Sequence, residues 1–118
     1  MATPNIINVS RIEGKTAALI VTTAPQVIVT NPANSNKVIK VNFLMLSNVN
    51  GMSAGDVTVD LFRGGVAYRL VSTLTVPADA SISLFDNKSL YLEEDDSLRV
   101  RAGSNGVVEA VCTYEVIS

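Results

Sequence analysis

The chain has no histidine and no tryptophan, and Cys112 is its only cysteine. Without histidine it lacks the usual general base, the commonest metal ligand and every Ser-His or Cys-His arrangement. A single cysteine excludes an internal disulfide. In "VVEAVCTYEV" Cys112 shares parity with Ala110, Tyr114 and Val116, which predicts a buried, inert thiol with no neighbouring cation to lower its pKa. Charge is sparse too. Nine Lys and Arg face eleven Asp and Glu, a net charge of −2 in 118 residues, so nucleic acid is not expected as a partner. Long apolar runs are also missing. The longest is Ala17 to Val21, far below the ~18 residues of a membrane span, so no membrane partner is expected. The start, "MATPNIINVSR", has neither a basic nor an apolar signal region, so no secretion signal is expected. Tyr68, Tyr91 and Tyr114 are scattered, with no second aromatic beside them for stacking bases. A carbohydrate-binding module, which wants surface aromatics, is the remote alternative.

What the chain does have is β-branched residues. Val, Ile and Thr number 17, 8 and 9, whereas Glu, Gln and Lys together number ten. Such side chains crowd a helix and fit a pleated surface. Alternation agrees: Ile39, Val41, Phe43 and Met45 against Lys40 and Asn42, and Val57, Val59 and Leu61 against Thr58 and Asp60. Turn signals at Asn31-Pro32, Asn50-Gly51, Gly64-Gly65, Val76-Pro77, Asp86-Asn87 and Asn105-Gly106 separate the runs. Gly64-Gly65 and Asn105-Gly106 suit two-residue hairpins. Strands are expected near 5–12, 16–23, 26–30, 36–48, 55–63, 66–76, 80–86, 89–93, 97–103 and 107–117. The fold class is therefore all-β: an antiparallel β-sandwich of eight to ten short strands, jelly-roll or immunoglobulin-like. Residues 1–118 read as a single domain, in which residues 1–23 form an N-terminal arm or peripheral strands.

The run Glu93-Glu94-Asp95-Asp96 is the densest chemistry. Contiguous acids do not match the alternating ligands of a calcium loop, and zinc lacks its nitrogen and sulfur ligands. Paired acid/base work needs two carboxylates converging in a pocket. The run reads as a turn between "LYL" and "LRV", since Asp tolerates turn geometry. No catalytic residue, metal site or cofactor is expected. Arg99 and Arg101 share a face and are expected to ladder with Glu109 and Glu115 across the last hairpin.

Large apolar side chains on a wet face mark subunit contacts. Leu44 and Leu46 share parity with Lys40 and Asn42, and Phe62 and Phe85 share parity with Asp60 and Ser83. Leu44, Leu46, Phe62 and Phe85 are thus the candidate interface residues. On that reading Leu46→Asp blocks assembly and spares the fold. Tyr68 and Tyr114, on the apolar parity, are assigned to the core.

The C-terminal half, "VPADASISLFDNKSLYLEEDDSLRVRAGSNGVVEAVCTYEVIS", resembles small all-β virion proteins of tailed bacteriophages, notably cyanophages. Those proteins combine a Val-Pro turn, a short Leu-x-Leu strand, a hairpin ending Gly-Asp-Ser-Leu-x-Val and a last strand with Tyr near its end. "KVIKVNFLMLSNVNGMSAGDVTVDLF" is similar to their middle region, so the likeness covers residues 26–118. Asp95 stands where the pattern has glycine. The resemblance implies a virion structural protein without catalytic residues, a capsid decoration (cement) protein or else a neck, tail or fibre component. It implies a place on the capsid surface, with the major capsid protein (or neck or tail proteins) and further copies of itself, as dimer or trimer, for partners.

Overall fold

The computed structural model describes residues 11–85 and 88–118. Among them are nine strands: β1 (Ile12–Ile20), β2 (Gln26–Thr30), β3 (Val38–Asn48), β4 (Gly55–Arg63), β5 (Val66–Val76), β6 (Ser81–Leu84), β7 (Leu90–Leu92), β8 (Ser97–Ala102) and β9 (Val108–Ile117). No helix of the described residues is long and apolar enough to cross a membrane. The strand expected at 5–12 and the turn at Asp86-Asn87 lie largely or wholly outside the described residues.

The strands build two antiparallel sheets. The first runs β1-β9-β3-β6, and β7 pairs with β3 further along the same side. The second runs β2-β8-β4-β5. With β6 and β7 taken as one interrupted strand, each sheet has four. The chain changes sheet at every connection except β4–β5 and that interruption, which is the jelly-roll form of the sandwich rather than the immunoglobulin form. The β4–β5 hairpin turns on Gly64 (φ 60°) and Gly65 (φ 78°), the paired left-handed conformation that a two-residue loop needs. Asn105-Gly106 forms no hairpin. It lies in the arch that carries the chain from β8 in one sheet to β9 in the other.

The interior is aliphatic. Ile39, Val41, Leu44 and Leu46 of β3 face Val57, Val59, Leu98 and Val100 of the second sheet within one buried cluster. Each fully buried Leu contributes about 1.5–3 kcal/mol. One residue decides which side of β3 joins this core. Val41 pairs with Tyr114 and Phe43 with Thr113, so Asn42 has no partner on β9 and forms a bulge. A bulge shifts parity by one. Before it the odd positions Ile39 and Val41 point inward; after it the even positions Leu44 and Leu46 do. The assignment of Leu44 and Leu46 to an outward face is therefore overturned, for both are 0% exposed. Phe43 and Met45 take the outward face instead and are half-buried.

Two buried asparagines close opposite ends of β3. At one end the Asn31 amide donates to the carbonyls of Lys37 (2.8 Å) and Leu92 (3.0 Å), and its oxygen accepts the Ser35 hydroxyl. At the other the Asn48 amide donates to the carbonyls of Ser53 (3.0 Å) and Val76 (2.9 Å), and its oxygen accepts the Asn50 N–H (2.8 Å). Leaving any such group unpaired would cost about 1–3 kcal/mol. From this packing, Leu44→Ala should destabilise the fold by about 2–5 kcal/mol in urea unfolding. Leu46→Asp should abolish the cooperative transition altogether; a folded Leu46→Asp variant would refute the inward placement.

Candidate assembly surfaces

The acidic run forms a turn, but as an arch between sheets rather than a hairpin, since β7 belongs to the first sheet and β8 to the second. The Asp96 N–H donates to the Glu93 carbonyl (3.1 Å), and Asp95 takes φ 70°, a left-handed position where the related pattern carries glycine. The Asp96 carboxylate is buried. It accepts a two-pronged bond from Arg63, through Nε at 2.8 Å and through Nη2, and also the Glu93 N–H (2.8 Å). This bond to Asp96 holds the Arg63 guanidinium above its usual pKa. Arg63 Nη2 also lies 3.0 Å from Glu93, while Glu94 accepts the Asn36 N–H. The Asn31 N–H donates to the Asp96 carbonyl (2.9 Å) and the Asp95 N–H donates to the Asn31 carbonyl (2.8 Å), so this corner is anchored to the asparagine clamp. Glu93 and Asp96 thus share Arg63, Glu94 holds the Asn36 N–H, and Asp95 is tied in through its backbone.

The outer face of the second sheet is cationic. Arg99 and Arg101 of β8 lie opposite Asp60 and Thr58 of β4, and Asp60 lies opposite Arg69 of β5. Asp60 accepts Arg69 Nε at 2.8 Å. Arg99 lies over Phe62, 3.5 Å from the ring centroid, and its Nε is buried with no acceptor among the described residues. Arg101 borders a hollow of about 190 Å³ with Thr23, Asp56, Thr58, Thr73 and Gly103. The expected ladder with Glu109 and Glu115 is absent, because β8 and β9 are in different sheets.

The outer face of the first sheet has the opposite character. Register sets Thr16, Ala18 and Ile20 of β1 beside Thr113, Val111 and Glu109 of β9, and these beside Phe43, Met45 and Ser47 of β3. Ser83 and Ser81 of β6 follow. The centre of this face (Ala18, Val111, Met45, Thr113, Phe43) carries no charge. A shallow hollow of about 290 Å³ lies at its end, between Ala18–Ile20 and Glu109–Val111.

Each sheet edge is blunted. On β1, Glu13 and Lys15 occupy the inward parity of Ala17 and Leu19. On β5, Leu70 has no counterpart on β4, and Thr58 faces the extra residues Ser72 and Thr73, the latter at φ 53°. β2 is bulged between Val27 and Val29, and the fourth line of the first sheet is broken into β6 and β7. Inward charges, bulges and short edges all discourage strand addition.

Of the candidate interface residues, Leu44 and Leu46 are core, Phe85 (φ 68°) is half-buried against the core, and Phe62 alone lies on an outer face, beneath Arg99. Tyr114 packs against the core, but Tyr68, near the tip of the β4–β5 hairpin on the edge strand β5, is 53% exposed. The residues missed from the sequence, Phe43 and Met45, stand one place from those chosen. The unbroken apolar run Phe43–Leu46 hides its parity, and an unpaired Asn42 reveals itself only in three dimensions.

No protein-family model and no curated protein matches this sequence. Solved structures do. A chain from the capsid of Helicobacter pylori bacteriophage KHP30 superposes with a TM-score of 0.57 at 12% identity, over 93% of this chain and 90% of that one. A chain of the Bacillus endospore appendages, a family of disulfide-linked pili, superposes with a TM-score of 0.55 at 14% identity, over 92% of this chain and 87% of that one. At such identities the likeness shows the fold. Disulfide linkage is not available to Cys112 as folded: it is fully buried, and desolvation pushes its thiol up to about 12. A pKa raised in the folded state means that stability is intact below about pH 9 and falls as pH rises toward 12. The native protein should therefore resist a thiol-titrating reagent at pH 8 and react stoichiometrically in denaturant; rapid native labelling would contradict the buried position.

Proposed function

We propose that this chain is a non-enzymatic virion structural protein, a decoration (cement) protein seated on the capsid of a tailed bacteriophage. The carrying observation is the charge-free centre of the first sheet's outer face, built from Ala18, Phe43, Met45, Val111 and Thr113. Depletion of charge at the centre of a patch is what distinguishes an interface core from ordinary surface. The jelly-roll likeness to a phage capsid chain, and the sequence resemblance to tailed-phage virion proteins, support the same reading. Such a protein works by area. Seated across neighbouring capsid subunits over about 1,000 Å² or more, it adds apolar burial that the shell alone lacks. Because it binds only the assembled shell, it stabilises that shell by mass action.

The test is reconstitution. Capsids stripped of this protein should melt at lower temperature and regain their stability when it is added back. Met45→Asp or Val111→Asp, both at outward positions, should remain folded yet fail to bind or to restore the transition. Unchanged melting with and without the protein, or binding to isolated tails in place of capsids, would overturn the decoration role.

A further inference from the structure

We propose that the outer face of the second sheet is a self-association surface, on which Arg99 and Arg101 of one copy receive Glu94 and Asp95 of a second copy across a two-fold axis. This extends the assembly reading above but uses the opposite face of the sandwich.

Charge on this face does not close within one copy. Asp60 is occupied by Arg69, Asp56 lines the hollow at Arg101 without forming an ion pair, and neither Arg99 nor Arg101 has a hydrogen-bonded or ionic partner among the described residues. Two guanidinium groups are thus unmatched. Arg99 is also held in place: it is stacked on Phe62, with a buried Nε that has no acceptor among the described residues. At the acidic corner the count is reciprocal. Arg63 engages Glu93 and Asp96; among the described residues the Glu94 carboxylate meets only a backbone N–H and exposed Asp95 has no cationic partner. Two carboxylates and two guanidiniums thus lack a charge partner among the described residues of one copy.

Their placement suits a two-fold. The corner leads directly into β8, and along β8 the outward positions are Ser97, Arg99 and Arg101. Acid and base therefore lie side by side along one strand, so a second copy turned end for end sets each acid against the other's base. Arg99 and Arg101 are roughly 7 Å apart at strand rise, within reach of two consecutive carboxylates on a turn. Phe62, opposite Ser97, falls near the axis, and Val27, opposite Arg99 and 45% exposed, adds apolar area beside it. An aromatic centre with charge pairs around it is a usual interface plan. A patch that contains both members of its own pair forms a closed, isologous dimer.

Sedimentation of parent protein, Arg101→Glu, Asp95→Lys and an equimolar mixture of the two variants tests this. The parent should dimerise at low salt and dissociate at about 1 M salt, where screening shortens to about 3 Å. Each variant alone turns two reciprocal attractions repulsive and should weaken the dimer roughly tenfold or more. The mixture should recover it, because one contact is then native and the other merely exchanges its charges. Asp95→Asn, which keeps the left-handed turn, should weaken association less than Asp95→Lys. A parent monomeric at low salt, a variant that dimerises normally, or a mixture that stays monomeric although both variants are folded would overturn the proposal. Capsid binding reads the other face: Arg101→Glu should still bind the shell, so a lost dimer with retained shell binding refutes only this inference. Loss of shell binding by Arg101→Glu would assign the arginines to the shell and likewise overturn it.

Discussion

A chain that changes sheet at nearly every connection must repeatedly carry peptide groups across the ends of a sandwich, where no ladder supplies partners. Two side-chain amides solve this. Asn31 and Asn48 each donate twice to carbonyls of other segments and accept once, at the two ends of β3. An amide suits the position because it offers two donors and an acceptor without a charge to desolvate. The acidic corner depends on the first of these clamps: Asp95 and Asp96 are tied to the Asn31 backbone, and the buried Asp96 carboxylate then orders Arg63. Order spreads from a neutral amide to a charged surface.

The bulge at Asn42 acts with comparable reach. Without it, β3 would present Phe43 and Met45 to the core and leave Leu44 and Leu46 outside. With it, β3 fills the core with two unaromatic side chains and gives the outer face a larger ring and a flexible thioether. Packing and surface chemistry are thus set together by one unpaired residue. Met is well suited to an outward apolar position, since its unbranched chain adapts to whatever surface meets it.

Strand positions were legible because β-branched content and turn residues are local signals: the ranges at 26–30, 55–63 and 66–76 stand as expected. The Gly64-Gly65 hairpin was legible for the same reason. Pairing was not, because a turn looks alike whether it joins neighbours in one sheet or crosses to the other. Asn105-Gly106 suits a hairpin by sequence and the acidic run a plain turn, yet both are arches between sheets, and the ladder expected between β8 and β9 falls with the hairpin. The outward placement of Leu44 and Leu46 is overturned more narrowly. Apolar side chains do occupy an outer face, at Phe43 and Met45, because parity shifts at a bulge with no signature in the sequence. Tyr68 shows the opposite departure: its parity is inward, yet it is 53% exposed.

The blunted edges have a consequence for the free protein. A β-rich chain at high concentration risks templating its neighbours into fibres through exposed ladders. Here the kinks in β2 and β5, and the charged residues turned under β1, deny newcomers a straight row of donors and acceptors. Crowded copies are left to meet broadside, sheet face against sheet face, and not rim to rim.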